Sequence, residues 1–133
     1  MKAKLQKLIG TAVLGLALCA NHMPAWAGFT LSSEVYIGAG SGSVHGSPTG
    51  ARYSADSKQY LNCSAYSFAS AGSKPSVFCE AADNSGRSFL CVSIDPRFVD
   101  AVKGMTAASY IYVTRNGNTC TNLEIDNASD YLR

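Results

Sequence analysis

Four of the five cysteines, one of the two histidines and a handful of carboxylates are the residues of this 133-residue chain whose chemistry depends on spacing; Cys19 and His22 lie in its first 27 residues. Cys63, Cys79, Cys91 and Cys120 have 15, 11 and 28 residues between them. A tetrathiolate zinc site uses close pairs, about two to four residues apart on tight turns, so this spacing points to disulfides and away from a metal. Four cysteines allow three pairings, and the sequence alone must choose among them by register.

His45 lies in the run Gly38-Ala39-Gly40-Ser41-Gly42-Ser43-Val44-His45-Gly46-Ser47-Pro48-Thr49-Gly50. A general base in a Ser-His-Asp arrangement needs packed neighbours that hold its ring, and none stands beside it in this stretch. It reads as a solvated loop histidine. The same run resembles a phosphate-cradling loop only in its glycines, because neither the Gly-Lys-Ser/Thr ending nor a following helix is present. Calcium would need several oxygen ligands converging on one loop, and neither 83–85 nor 126–130 has such spacing. No cofactor and no metal are expected.

Glu80, Asp83, Glu124 and Asp126 lie on or beside expected strands. Two carboxylates at the right separation can hydrolyse a glycosidic bond. One alternative reading is therefore a small cell-envelope or extracellular hydrolase with Glu80 and Glu124 as acid and base. A solvated strand face or a turn explains each of these carboxylates equally well.

The start of the chain has the form of an export signal. Lys2, Lys4 and Lys7 precede an apolar run at 8–20, and Ala25-Trp26-Ala27 is a small-x-small cleavage triplet. The expected mature chain begins at Gly28, in the periplasm or outside the cell, where disulfides persist. Cys19 leaves with the leader. Leu16-Ala17-Leu18-Cys19 resembles a lipobox but has Leu18 where that pattern needs a small residue, so a lipoprotein is not expected. The apolar run is too short to span a bilayer.

Removing the leader changes the charge. The whole chain is formally +2, but three of its positive charges are leader lysines, so eight positives face nine negatives in the rest. Their signs alternate without blocks, which argues against nucleic acid as a partner and against a basic membrane-binding patch.

The elements that must hold these residues are mostly strands. Residues 28–37 read as a first strand, and 38–50 as a long mobile loop whose composition cannot offset its ordering entropy. Period-two alternation marks strands at 59–66, 109–114 and 119–125, with Thr121, Leu123 and Ile125 inward in the last, and 76–82 and 88–93 also read as strands. Asp83-Asn84-Ser85-Gly86 and Arg115-Asn116-Gly117-Asn118 read as hairpin turns. One helix is expected at 96–103. Asp95 is its N-cap, Pro96 fits its first position and Gly104 ends it, while Phe98, Val99 and Val102 form its apolar stripe.

The predicted organisation is a leader at 1–27, an N-terminal strand and Gly/Ser loop at 28–58, and an antiparallel β domain at 59–133. The fold class is mainly β (α+β): one small antiparallel sheet with a packed helix, or a small sandwich or barrel, stapled by two disulfides. A hairpin centred near Ala71 puts Cys63 opposite Cys79 and leaves Cys91 for Cys120. A hairpin centred on Ser85 puts Cys79 opposite Cys91 instead. Both registers are available, and we prefer 63–79 with 91–120.

Tyrosines are the least ordinary feature. Tyr60 and Tyr66 project from one strand with Asn62 and Ser64, and Tyr110 and Tyr112 project opposite Ile111 and Val113. A helix over the aliphatic face would leave these four on the other, where tyrosine offers large contact area at low entropic cost. The leading expectation is a non-catalytic exported bacterial binding module, such as an inhibitor or adhesion factor, that presents this face to a protein or glycan. A self-associating surface protein that pairs its strand edges is a further alternative.

Overall fold

A computed structural model describes residues 33–70 and 72–128. The expected leader with Cys19 and its cleavage point, and the first half of the expected first strand, lie outside the described residues. So does Tyr131.

Five strands stand where alternation places them, with small changes at their ends. In our numbering β3 is Tyr60–Tyr66, β4 Ser76–Ala82, β5 Ser88–Ser93, β6 Tyr110–Asn116 and β7 Thr119–Asp126. Two short strands precede them, β1 Tyr36–Ile37 and β2 Ser43–Gly46, so the sheet has seven strands among the described residues. Their order is β1-β2-β6-β7-β5-β4-β3. Every pairing is antiparallel except β5 with β7, which run parallel through the single pair Val92 and Thr119. The expected antiparallel sheet is thus mixed at one junction.

The stretch 38–50, expected as a long loop, instead carries a 3-10 turn at Ala39–Ser41, strand β2 and the start of helix α1, Pro48–Arg52. Its glycines permit close backbone approach. A Cβ on Gly50 would lie 1.9 Å from the Ser33 carbonyl oxygen, so only glycine lets α1 sit against that segment. Ser47 caps α1 by accepting a hydrogen bond from the Gly50 amide at 2.8 Å, and Pro48 begins the helix.

Helix α2, Pro96–Lys103, has the expected ends. Asp95 accepts from the Arg97 amide, and Val99 and Val102 are buried with Phe98 packed partly beneath. It lies against β3, β4 and β7, where it covers the core face of the sheet. That face is built from Leu61, Val77, Ala81, Phe89, Ile111, Val113, Val44 and Ile37, all buried.

All four cysteines stand on this core face. Cys63 faces Cys79 and Cys79 faces Cys91 in the registers of β3, β4 and β5, while Cys120 lies on β7 beside β5. The bonds are Cys63–Cys79 and Cys91–Cys120. Bonding the middle pair would leave Cys63 and Cys120 three strands apart, roughly 14 Å, well beyond the reach of a disulfide. Geometry therefore selects between two registers that are both present.

A register shift between Thr114 and Arg115 lets Cys120 face inward on the same strand as Leu123 and Ile125. On a regular strand Cys120 and Leu123 would face opposite ways. The shift also exposes Thr121, which alternation places inward.

The two ends of the sheet approach each other around the core. The Val35 amide donates to Gln59 Oε1 at 2.7 Å, and the Arg87 guanidinium lies 5.6 Å over the Tyr36 ring. Asp56 orients Gln59 by accepting from its side-chain amide at 2.7 Å. No helix among the described residues is long and apolar enough to cross a membrane. Two disulfides fit an oxidising, extracytoplasmic location.

Candidate binding surfaces on the outer face of the sheet

The alternation that buries Leu61, Cys63, Val77, Cys79, Phe89 and Cys91 sends their neighbours outward. On the outer face Asn62 lies opposite Glu80, which lies opposite Leu90; one step along, Ser64, Phe78 and Val92 form the next row. The Tyr66 ring meets Phe78 edge to face at 5.3 Å. With Phe68 from the following loop, these side chains other than Val92 line a shallow groove of about 350 Å³.

This groove is apolar and open to solvent. Tyr66 is 47% exposed, Phe68 59%, Phe78 37% and Leu90 47%. Single exposed apolar residues are ordinary, whereas a contiguous group around one concavity marks a contact surface. Among the described residues Glu80 is the only charged one lining it. The Asn62 side-chain amide donates to Ser64 Oγ at 3.0 Å, so it does not serve the Glu80 carboxylate. Among the described residues no hydrogen bond or ion pair reaches the Glu80 carboxylate.

A second cluster stands on the other half of the sheet. Tyr36, His45, Tyr112 and Glu124 face one another in turn across β1, β2, β6 and β7. The Tyr36 and His45 rings stack at 5.2 Å, and Tyr110 and Tyr112 approach His45 at 6.0 and 6.5 Å. The Arg87 guanidinium also lies over the Tyr36 ring, 5.6 Å from its centre. These rings pack on one another around the half-buried His45, while Tyr36 at the end of the row stays 53% exposed. His45, expected as a solvated loop residue, is a half-buried member of that stack.

The four tyrosines predicted as a binding face are thus divided. Tyr66 belongs to the groove, and Tyr60 stands exposed opposite Ala82 at the other end of β3. Tyr110 and Tyr112 join His45, on a strand separated from β3 by β7, β5 and β4. Alternation does not single out Phe68, Phe78 or Leu90. The signal for Phe78 and Leu90 is the pair of unbroken apolar runs Val77-Phe78-Cys79 and Phe89-Leu90-Cys91-Val92, which supply apolar residues to both faces where one buried face needs only alternate ones; Phe68, in a loop, carries no such signal.

The expected carboxylate pair does not converge. Glu80 lies on the row of Leu90, two residues before the Val92–Thr119 junction, and Glu124 lies five residues beyond it on the parallel strand. Seven residue steps separate them along the strand direction, roughly 23 Å. A glycosidase pair needs less than about 10 Å. Asp83 is committed to structure: its carboxylate accepts from the amides of Ser85 and Arg87 and from Arg87 Nε at 2.6 Å. Burial works to raise its pKa, but the hydrogen bonds and charge of Arg87 outweigh that and hold it below the usual carboxylate value. Among the described residues no three His, Cys, Asp or Glu side chains converge as metal ligands.

The two edges of the sheet differ in length and cover. On edge strand β3 Leu61 and Cys63 are only 4% and 2% exposed, whereas Tyr60, Asn62, Ala65 and Tyr66 are exposed. The opposite edge, β1, has two residues. Comparisons with protein-family models, with characterised proteins and with solved structures yield no match.

Proposed function

We propose that this protein is an exported bacterial binding module, periplasmic or secreted, that acts without catalysis by docking a protein partner on the outer face of β3, β4 and β5. The observation that carries this reading is the contiguous exposed group Tyr66, Phe68, Phe78 and Leu90 around one groove. Aromatic anchors near the centre of a patch dominate protein contacts, and an aliphatic residue such as Leu90 suits a protein surface better than a sugar ring. The strands beneath are tied by Cys63–Cys79 and Cys91–Cys120, so the face is rigid before it binds and less ordering entropy is lost on contact. Export supplies the oxidising conditions these bonds need, and the leader-like start at 1–27 supports it.

Capture by the oxidised protein from bacterial and host extracts tests the reading. The variants Tyr66→Ala and Phe78→Ser should fold and lose the captured protein, while Tyr112→Ala should retain it. Equal capture by all three would remove the groove as the docking face.

A further inference from the structure

The groove holds a charge without a counter-charge. Glu80 stands among Tyr66, Phe78 and Leu90. Its one polar cross-strand neighbour, Asn62, donates instead to Ser64. Arg87 is engaged with Asp83 at 2.6 Å, and Arg115 donates from Nε to the Ser41 carbonyl and from Nη1 to the Leu90 carbonyl. A partner that covered this face with apolar groups alone would strip water from a lone carboxylate, which is costly. An occupant that brings its own cation removes that cost.

We propose that the groove receives a basic side chain of the partner polypeptide, Arg or Lys, flanked by apolar residues. The inference rests on the docking face proposed above and adds the chemistry of its occupant. Phe78 and Glu80 are two residues apart on β4 and point the same way, roughly 7 Å along the strand. That interval matches an extended basic side chain, with its aliphatic stem over the Phe78 ring and its head at the carboxylate. The Tyr66 and Phe78 rings, already fixed edge to face, offer π density to the cation, and a guanidinium uses such a surface better than an ammonium because it is planar and weakly hydrated. The flanking apolar residues then lie on Leu90 and Phe68.

The test uses the isotopically labelled oxidised protein and synthetic blocked peptides with a central arginine between leucine and phenylalanine. Matched peptides carry citrulline or glutamate in place of the arginine. The arginine peptide should shift the amide signals of Asn62, Ser64, Glu80 and Leu90, and should bind about tenfold more tightly than the citrulline peptide. Glu80→Gln should remove that preference without weakening the citrulline peptide, and Phe78→Ser should weaken both. Equal binding of arginine and citrulline peptides at these residues would overturn the inference and leave the docking face standing. Shifts confined to other strands, or no binding by any peptide, would overturn the inference; unchanged partner capture by Phe78→Ser would separately remove the face itself.

Discussion

Cys91 of β5 and Cys120 of β7 are bonded next to the one pair of parallel strands in the sheet, where Val92 lies beside Thr119. The pairing there is a single residue pair, with one further backbone bond from the Val92 amide to the Asn118 carbonyl at 2.8 Å. The disulfide does what an extended ladder does elsewhere, joining the β3-β4-β5 half to the β1-β2-β6-β7 half.

Removing either bridge should therefore have different structural consequences. Cys91→Ser with Cys120→Ser should cost about 3–4 kcal/mol and loosen the junction between halves, seen as faster amide exchange at Val92 and Thr119. Cys63→Ser with Cys79→Ser should cost about 3 kcal/mol but leave that junction protected, because those cysteines lie on strands already paired along seven residues. Denaturant unfolding with exchange measurements separates the two.

Gly50 provides a test of whether 38–50 is a built element. Gly50→Ala should destabilise the protein by about 1–3 kcal/mol, because its Cβ would collide with the Ser33 carbonyl. Gly104→Ala, whose nearest neighbour would lie at an ordinary 3.5 Å, should be nearly neutral. Thermal melts of the two variants check the contrast.

The strands and the helix α2 were legible because each carries its signal over at least six residues: alternation for β3, β6 and β7, apolar runs flanking a turn for β4 and β5, and cap, stripe and terminal glycine for α2. Strand β2 was not, since four residues ending in glycine hold too little periodicity, and its pairing with β6 is set by contacts distant in sequence. His45 was misread for the same reason. Its environment comes from Tyr36, Tyr110 and Tyr112, which only the sheet order brings to it. The cysteine registers were both legible. The choice between them needed β7 placed beside β5, and no local pattern encodes that parallel contact.

Asp83 should give the stability a pH dependence on the acid side. Its folded pKa lies below the unfolded value near 3.8, so its contribution is fully present above that value and is lost as pH falls through the lower, folded one. Asp83→Asn should be less stable at neutral pH, by about 1–3 kcal/mol, and should lose less stability between about pH 4 and pH 2 than the parent protein. Urea midpoints across that range measure it.

The stack around His45 should be structural. His45→Ala should lower stability by about 1 kcal/mol, through lost packing against Tyr36 and Tyr112, with partner capture unchanged. Chemical denaturation beside a capture assay reads both effects.

Photo-cross-linking tests the docking face most directly. A benzophenone side chain placed at Leu90 of the oxidised protein should cross-link the captured partner, and the same group placed at Tyr112 should not. Cross-links from Tyr112 with none from Leu90 would contradict the account.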